Sequence, residues 1–340
     1  MMYTAASYLV ETLTKTPYAE FLKEKFWDPL GMTNTYHDYS GVQDAGAEEN
    51  LATGYSWHVK KEKFIPKKWV NEPEGTGAGS IISCPADYIK WVRSFLQKTG
   101  PLSKESQDEL VKGRTIIDWD PESQVPLYGH STYALGWLSE SYRGHRIVGH
   151  GGSVAGFDSL MRFLPEHEWG IYVIGNSNGA DEAGEIIFHW LTDRVLGVKE
   201  EDRIDWFKWW KDRKDKAEAE DDEDDMQEWE KELRKQEKKV LGVPIEQIAG
   251  HYYDPGYKDL IVEWKDGKLE ADCSDRCFGF LIEFEHVSED VFVALIRDTE
   301  DLNVSRVRAE IKIEDGGVKS LGVDFEGRLE KRLIWFQRVD

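Results

Sequence analysis

Gly149-His150-Gly151-Gly152-Ser153-Val154-Ala155-Gly156-Phe157 is the stretch from which the fold of this chain is best approached. Four glycines and one histidine stand between two β-rich runs, residues 146–149 and 159–164. A glycine-rich strand lets a ligand come close to backbone N–H and C=O groups, because no Cβ intervenes. A neighbouring histidine can orient a carboxylate or a developing anion. By spacing alone, the same residues also read as a β-hairpin turn carrying a surface histidine, and both readings stand at this point.

Outward from this stretch the period is first that of strands. Residues 133–138 and 170–174 are further short β-rich runs set off by Gly, His or Pro, a pattern that predicts an antiparallel sheet. Upstream it is helical. Ala5, Tyr8, Leu9, Leu13, Phe21, Leu22 and Phe26 recur at helical spacing over residues 4–26, with a break at residues 14–17. Asp28-Pro29-Leu30-Gly31-Met32 stops that pattern and opens a polar stretch to about residue 70. Residues 85–98 predict a helix capped by Ser83, with Ile89, Val92, Phe95 and Leu96 on its apolar face. Residues 102–113 predict another. Residues 180–196 return to a helix through Ile186, Ile187, Trp190, Leu191 and Val195. Helices, then strands, then a helix is the order of an α+β domain.

Residues 199–239 differ in kind. Glu218 to Asp225 holds seven acidic residues in eight, flanked by Lys- and Glu-rich sequence with Trp206, Trp209, Trp210 and Trp229. This reads as a solvated helical linker or a partly disordered hinge, whose tryptophans dock on a neighbouring domain. Beyond Pro244, runs at 260–264, 268–271, 281–284, 291–295, 308–313 and 333–336 alternate with Asp/Gly turns, which predicts a small barrel or sandwich of about 95 residues. The expected division is therefore 1–198, a linker over 199–244, and an all-β domain over 245–340.

The chain has 340 residues, with 43 Lys+Arg against 65 Asp+Glu and a net charge of −22, which excludes a general nucleic-acid binder. With 40% hydrophobic residues and 14 each of Trp, Tyr and Phe, it has ample material for a core. No run approaches 18 apolar residues, and the opening lacks a basic start followed by an apolar stretch. A soluble cytoplasmic protein with no membrane partner is expected. Cys84, Cys273 and Cys277 form no even framework and no C-x-x-C pair, so they read as reduced thiols.

A nucleophile needs a base and an oxyanion site beside it. The chain has no G-x-S-x-G elbow, since Gly129-His130-Ser131-Thr132-Tyr133 fails at its last position, and no serine is followed three residues on by Lys. Walker, G-x-G-x-x-G and H-E-x-x-H motifs are absent. The nine histidines are scattered with no i, i+4 pair, so no metal is expected. Asp158 and Glu166 read as solvated surface acids rather than substrate contacts. Trp209-Trp210 and Tyr252-Tyr253 read as packing across a domain boundary rather than as a ligand groove.

His150-Gly151-Gly152, followed by Ser153, Gly156 and Phe157, resembles the K-T-G or H-x-G strand of the serine β-lactamase and penicillin-binding protein superfamily, in its esterase-like peptidase S12 branch. Three other segments agree in order. Residues 26–35, FWDPLGMTNT, are similar to that family's PLGM helix end; residues 77–83 with Asp87 and Trp91 resemble its GGL-x-ST segment; residues 133–137, YALGW, resemble its YGLGW. The resemblance covers about residues 3–196. Residues from Ile248 through Val262 resemble the start of the lipocalin-like domain that follows the catalytic domain in some members. The fold so implied is α+β, β-lactamase/transpeptidase-like, an antiparallel sheet flanked by helices and lacking its N-terminal part, followed by a small all-β lipocalin-like barrel.

In that family the Ser of S-x-x-K, helped by its Lys and by the Tyr of Y-x-N, attacks an acyl carbonyl and forms an acyl-enzyme without metal or organic cofactor. The resemblance places His150, Gly151 and Gly152, with Ser153 beside them, at the substrate-binding and oxyanion region. It implies a small-molecule or peptide acyl partner: a β-lactam, an ester or a D-amino-acid peptide. Both S-x-x-K and Y-x-N are missing from this chain, and Tyr3-Thr4-Ala5 belongs to the following helix. The chain is thus expected to start just after Y-x-N, to hold no catalytic nucleophile, to leave a sheet edge exposed, and to be inactive as it stands. Three readings follow: the carboxy-terminal part of a serine acyl hydrolase, an inactive pseudoenzyme acting as a binding or assembly module, or an acyltransferase of the same family. Assembly into a homo-oligomer through the barrel is compatible with the sequence.

Overall fold

The structure is a computed structural model. It describes residues 2–58, 61–69, 71, 75–117, 124–154, 156–220, 226–276, 279–298, 304–327 and 332–339. Ala155, Cys277 and residues 221–225 of the acidic run lie outside the described residues. The chain divides into two compact units, Met1–Asp215 and Lys216–Asp340.

The first unit opens with α1 (Met2–Thr14) and α2 (Tyr18–Leu22). Their separation follows from Lys15, which turns left-handed (φ 58), and from Pro17, which has no N–H to continue a helix. A π-helical turn, Lys23–Trp27, leads into α3 (Asp28–Leu30), and Gly31 ends it at φ 67. The Asp38 carboxylate accepts from the Gly41 N–H and caps α4 (Tyr39–Asp44). The polar stretch then holds an unforeseen hairpin, β1 (Gly54–His58) and β2 (Lys63–Lys67). Its buried positions on β1 are Gly54, Ser56 and His58 while Trp57 is exposed, so hydrophobic alternation runs backwards and hides the strand.

Next come α5 (Pro85–Gln97) and α6 (Lys104–Leu110). Ser103 caps α6 as a side-chain acceptor. Ser83 does not cap α5: the N-cap is Cys84, and the Ser83 hydroxyl is instead 2.8 Å from that of Thr35. A six-stranded antiparallel sheet follows among the described residues, in the order of the chain: β3 (Thr115–Ile116), β4 (Thr132–Tyr133), β5 (Leu138–Tyr142), β6 (His145–Val154), β7 (Phe157–Leu164) and β8 (Trp169–Gly175). The expected run at 133–138 is split, because Ala134 N–H bonds the Trp137 carbonyl at 2.7 Å around Gly136 (φ 76). β8 ends the sheet as an edge strand.

α7 (Ala180–Val195) and α8 (Trp206–Glu220) complete the order of this part. Alternation along β7 sends Met161 and Phe163 to one face, against Val92 and Phe95 of α5, and Leu160 and Leu164 to the other, against Phe188 of α7. The sheet is thus sandwiched between helices, and each such fully buried side chain contributes about 1.5–3 kcal/mol. Trp206 is buried in the second of these clusters and Trp209 packs on it. Both tryptophans therefore pack within the first unit rather than on a neighbouring domain.

After the last residues of α8, the second unit continues with α9 (Glu228–Arg234). Eight strands among the described residues then close a barrel: β9 (Gly250–Asp254), β10 (Lys258–Lys265), β11 (Lys268–Cys273), β12 (Phe280–Ser288), β13 (Val291–Asp298), β14 (Val304–Glu314), β15 (Gly317–Val323) and β16 (Ile334–Arg338). Each pairs antiparallel with the next, and β16 closes on β9 through Gln337↔Tyr253 and Arg338↔Tyr252. Closure leaves the barrel no free edge. Its interior is filled by side chains including Leu260, Leu269, Phe292 and Phe336. Tyr252 is wholly buried there, its hydroxyl donating to the Ile248 carbonyl at 2.6 Å, so it packs within the barrel and lines no groove. α9 lays Trp229 and Leu233 on Val287, Val293 and Leu295 of the barrel wall. Among the described residues no helix is long and apolar enough to cross a membrane.

Candidate functional site

His150, Gly151, Gly152 and Ser153 lie inside β6, not in a turn. The turn comes later, at Gly156 (φ 79), where a Cβ would stand 2.8 Å from the backbone of Gly54 and Tyr55. β6 pairs with β7 as far as Val154↔Phe157, but with β5 only as far as Leu138↔Gly149. Among the described residues, no strand therefore pairs with the other edge of residues 150–154. Two glycines on this strand answer different needs. A Cβ on Gly149 would meet the Met161 carbonyl at 2.2 Å, so the sheet itself requires that glycine. A Cβ on Gly151 would find its nearest neighbour at 3.5 Å, an ordinary contact. Nothing in the fold demands the second glycine, and its effect is to leave the strand backbone bare.

That bare edge faces a cavity of about 1070 Å³, whose walls also include Tyr3, Trp69, Tyr88, Tyr133 and Tyr172. Tyr88 and Tyr172 stack at 4.6 Å between centroids, and burial pushes both phenols up. Trp69 lies 4.7 Å from Phe157, the residue that follows the turn. The β1–β2 hairpin is held beside this wall by the Tyr55 N–H, which donates to the carbonyls of Asn176 at 3.0 Å and Gly156 at 3.2 Å.

Three side chains in the cavity are linked. The Tyr133 hydroxyl is 3.3 Å from His150 Nε2, and His150 Nδ1 bonds the carbonyl of Gly151. A carbonyl can only accept, so Nδ1 carries a proton. The Tyr133 hydroxyl also hydrogen-bonds the Tyr3 side chain. Burial, and then this second phenol, push the Tyr133 pKa up to about 12, so the hydroxyl keeps its proton at neutral pH. Tyr3 reaches the site from α1, where Gly77 (φ 80) permits close approach: a Cβ there would lie 2.5 Å from the Tyr3 carbonyl. Sequence reasoning took Tyr133 as a strand residue and the start of the YALGW segment, and Tyr3 as a helix residue, and gave neither side chain a place in the site. The signal that links them is the tight 134–137 turn, which aims Tyr133 back at β6.

Asp158 departs from the sequence expectation of a solvated acid. It is buried, and its carboxylate accepts from the Gly179 N–H at 2.6 Å, at the threshold of α7. That position suits a negative charge because the helix N-terminus carries partial positive charge. Glu166 is exposed, as a surface acid would be.

A family model described as Beta-lactamase matches residues 1–193, the part that holds this cavity. The chain belongs to the beta-lactamase family. The barrel falls within a second match, to a family described as a domain of unknown function (DUF3471), over residues 235–338. Two relatives of the beta-lactamase-family chain are fungal. An unguisins hydrolase of Aspergillus campestris (strain IBT 28561) is 30% identical over 361 residues, covering 99% of this chain and 62% of the relative. An unguisins hydrolase of Aspergillus violaceofuscus (strain CBS 115571) is 29% identical over 364 residues, with the same two coverages. The structure of the octameric penicillin-binding protein homologue from Pyrococcus abyssi superposes with a TM-score of 0.51 at 19% identity, covering 98% of this chain and 63% of that one. It supports the beta-lactamase/penicillin-binding-protein fold with its added barrel. The chain spans 62% of the length of the two curated relatives.

Proposed function

We propose that the cavity in the first unit is the substrate-binding and oxyanion side of a serine acyl hydrolase working through an acyl-enzyme, its nucleophile supplied by sequence outside these 340 residues. The observation that carries this reading is the one-sided edge of β6 at residues 150–154, with Gly151 bare although the fold does not require glycine there. An extended acyl or peptide substrate can add to such an edge as a strand does, through main-chain hydrogen bonds. A backbone N–H of the same edge can donate to the carbonyl oxygen as it gains charge in the tetrahedral intermediate. The Tyr3–Tyr133–His150 chain would hold or pass a proton at His150 Nε2, beside the scissile group. His150, Gly151 and Gly152 are assigned to this edge, with Ser153 as its exposed neighbour. The two relatives are hydrolases of unguisins, which makes an unguisin the first substrate to try. Free Cys84 and Cys273 support placing the protein in the reducing cytoplasm.

The test is turnover of an unguisin and of simple aryl esters by the protein as its source makes it, together with Tyr133→Phe and Gly151→Val. Each variant is expected to lower kcat/KM by roughly tenfold or more. Unchanged kcat/KM in both would overturn the pocket assignment. A folded protein with no turnover and no acyl adduct would overturn the hydrolase reading in favour of an inactive binding module. Transfer of the acyl group to an added amine in preference to water would make it an acyltransferase.

A further inference from the structure

We propose that His145, Glu166 and His167 form a zinc-type divalent metal site at the end of the sheet away from the acyl-binding edge. His145 is the first residue of β6, and Glu166 and His167 sit in the single 3₁₀ turn, Pro165–His167, that joins β7 to β8. The two histidines are 22 residues apart in sequence, yet His167 Nε2 lies 3.0 Å from His145 Nδ1, with the rings edge to face at 4.7 Å. One donor atom from each of the three side chains lies within 4.8 Å of the other two. Both imidazoles are half-buried, while Glu166 is exposed.

The chemistry of this donor set points to a borderline cation. The two imidazole nitrogens already face each other at 3.0 Å, and a cation seated between them would engage a lone pair from each. Tetrahedral zinc with bonds of about 2.0–2.1 Å spaces its donors about 3.3 Å apart. The observed span, from 3.0 Å between the nitrogens to at most 4.8 Å for the set, brackets that spacing, so small side-chain adjustments suffice. Two nitrogens and one carboxylate oxygen leave a fourth position for water. Backbone geometry restrains the turn that carries two of the donors. Pro165 has a fixed φ, and Glu168 closes the turn in the left-handed region at φ 49. His145 and His150 are five residues apart on one strand, about 16 Å at strand rise, so the metal takes no part in the acyl chemistry. Its effect would be to tie the start of β6 to the β7–β8 connection. A search for histidines at helical spacing cannot find this set, because strand pairing and not helix pitch brings it together.

The experiment is metal titration of the whole chain after chelator treatment and dialysis, followed by calorimetry with Zn²⁺ and by the visible spectrum with Co²⁺. The expected result is one saturable equivalent, a tetrahedral Co²⁺ spectrum and a rise in Tm on adding Zn²⁺. His145→Ala, His167→Ala and Glu166→Gln are each expected to weaken binding by more than the roughly 10–100-fold that loss of an outer-shell partner costs. Absence of a saturable equivalent would overturn the proposal, as would binding that all three variants leave unchanged. Glu166→Gln alters an exposed side chain and serves as the deciding variant if a histidine variant has a lower Tm without metal. An unaltered Co²⁺ spectrum in it would exclude the carboxylate and contradict the three-ligand site.

Discussion

Gly149 and Gly151 stand two residues apart on β6, and the difference between them separates folding from function. A methyl group at Gly149 meets a backbone carbonyl that cannot move aside, so Gly149→Ala is expected to cost about 1–3 kcal/mol, read as a lowered midpoint in denaturant unfolding. Gly151→Ala is expected to leave that midpoint within about 0.5 kcal/mol while impairing substrate binding, because its new methyl makes only an ordinary 3.5 Å contact with the Ser159 carbonyl and crowds the edge left open to a ligand. Equal destabilisation by both would show that Gly151 serves the sheet. His150 through Ser153 were legible as a group because they are contiguous and glycine-rich. Tyr133 was not: its hydrogen bond to His150 spans 17 residues and depends on the turn at Gly136. Asp158 was misread because a carboxylate beside a glycine-rich stretch looks solvated, whereas here the start of α7 takes it inside.

At the scale of elements, α7 carries a histidine whose burial has a measurable consequence. His189 is 1% exposed, donates from Nδ1 to the Glu185 carbonyl at 2.6 Å and accepts from Tyr128 at Nε2, with Trp206 stacked on its ring at 3.8 Å. Burial pushes its pKa down to about 3. The unfolded chain, with an ordinary histidine near 6.5, therefore takes up a proton first as pH falls. The resulting stability is fully present above about pH 6.5 and is lost progressively as pH falls from there toward 3. Denaturant unfolding between pH 7 and 4 should show this loss, up to a few kcal/mol, and His189→Gln should flatten the slope relative to the parent. Parallel slopes would contradict it. The same burial logic explains which elements the sequence revealed. α5 and β7 bury large apolar residues at regular spacing and were legible. α7 was legible as a helix but not in its buried face: Ile187, Trp190 and Val195 are exposed, while Gly184, Phe188, His189, Thr192 and Asp193 are buried. The β1–β2 hairpin and β15 were not, since Gly54, Ser56 and His58 in one and Gly317, Ser320 and Gly322 in the other dilute the apolar signal.

At the scale of the molecule, the chain is a beta-lactamase-family unit followed by a barrel. Four short motifs in order made the first legible, whereas the barrel's closure rests on pairing between β16 and β9, ends of a segment far apart in sequence. The charged region between them carries Trp206 into the first unit and Trp229 into the second, so the boundary between the units falls within it, after Asp215. In the second unit Glu230 is fully buried, with Arg306 Nε at 3.0 Å and Arg234 Nε at 2.8 Å, and these guanidiniums hold its carboxyl below the usual range despite burial. Residues 216–340 expressed alone are expected to unfold in one cooperative transition, and Glu230→Gln to lower its stability by about 1–3 kcal/mol by leaving two arginines short of their partner. An unchanged midpoint would show that α9 contributes little to the barrel. Intact mass tests the proposal that sequence beyond these residues completes an acyl-enzyme site. The protein from its source and the 340-residue chain would be weighed before and after a fluorophosphonate. The expected result is a native mass above 39.2 kDa that gains one adduct while the 340-residue chain gains none. A native mass of 39.2 kDa with no adduct would contradict it.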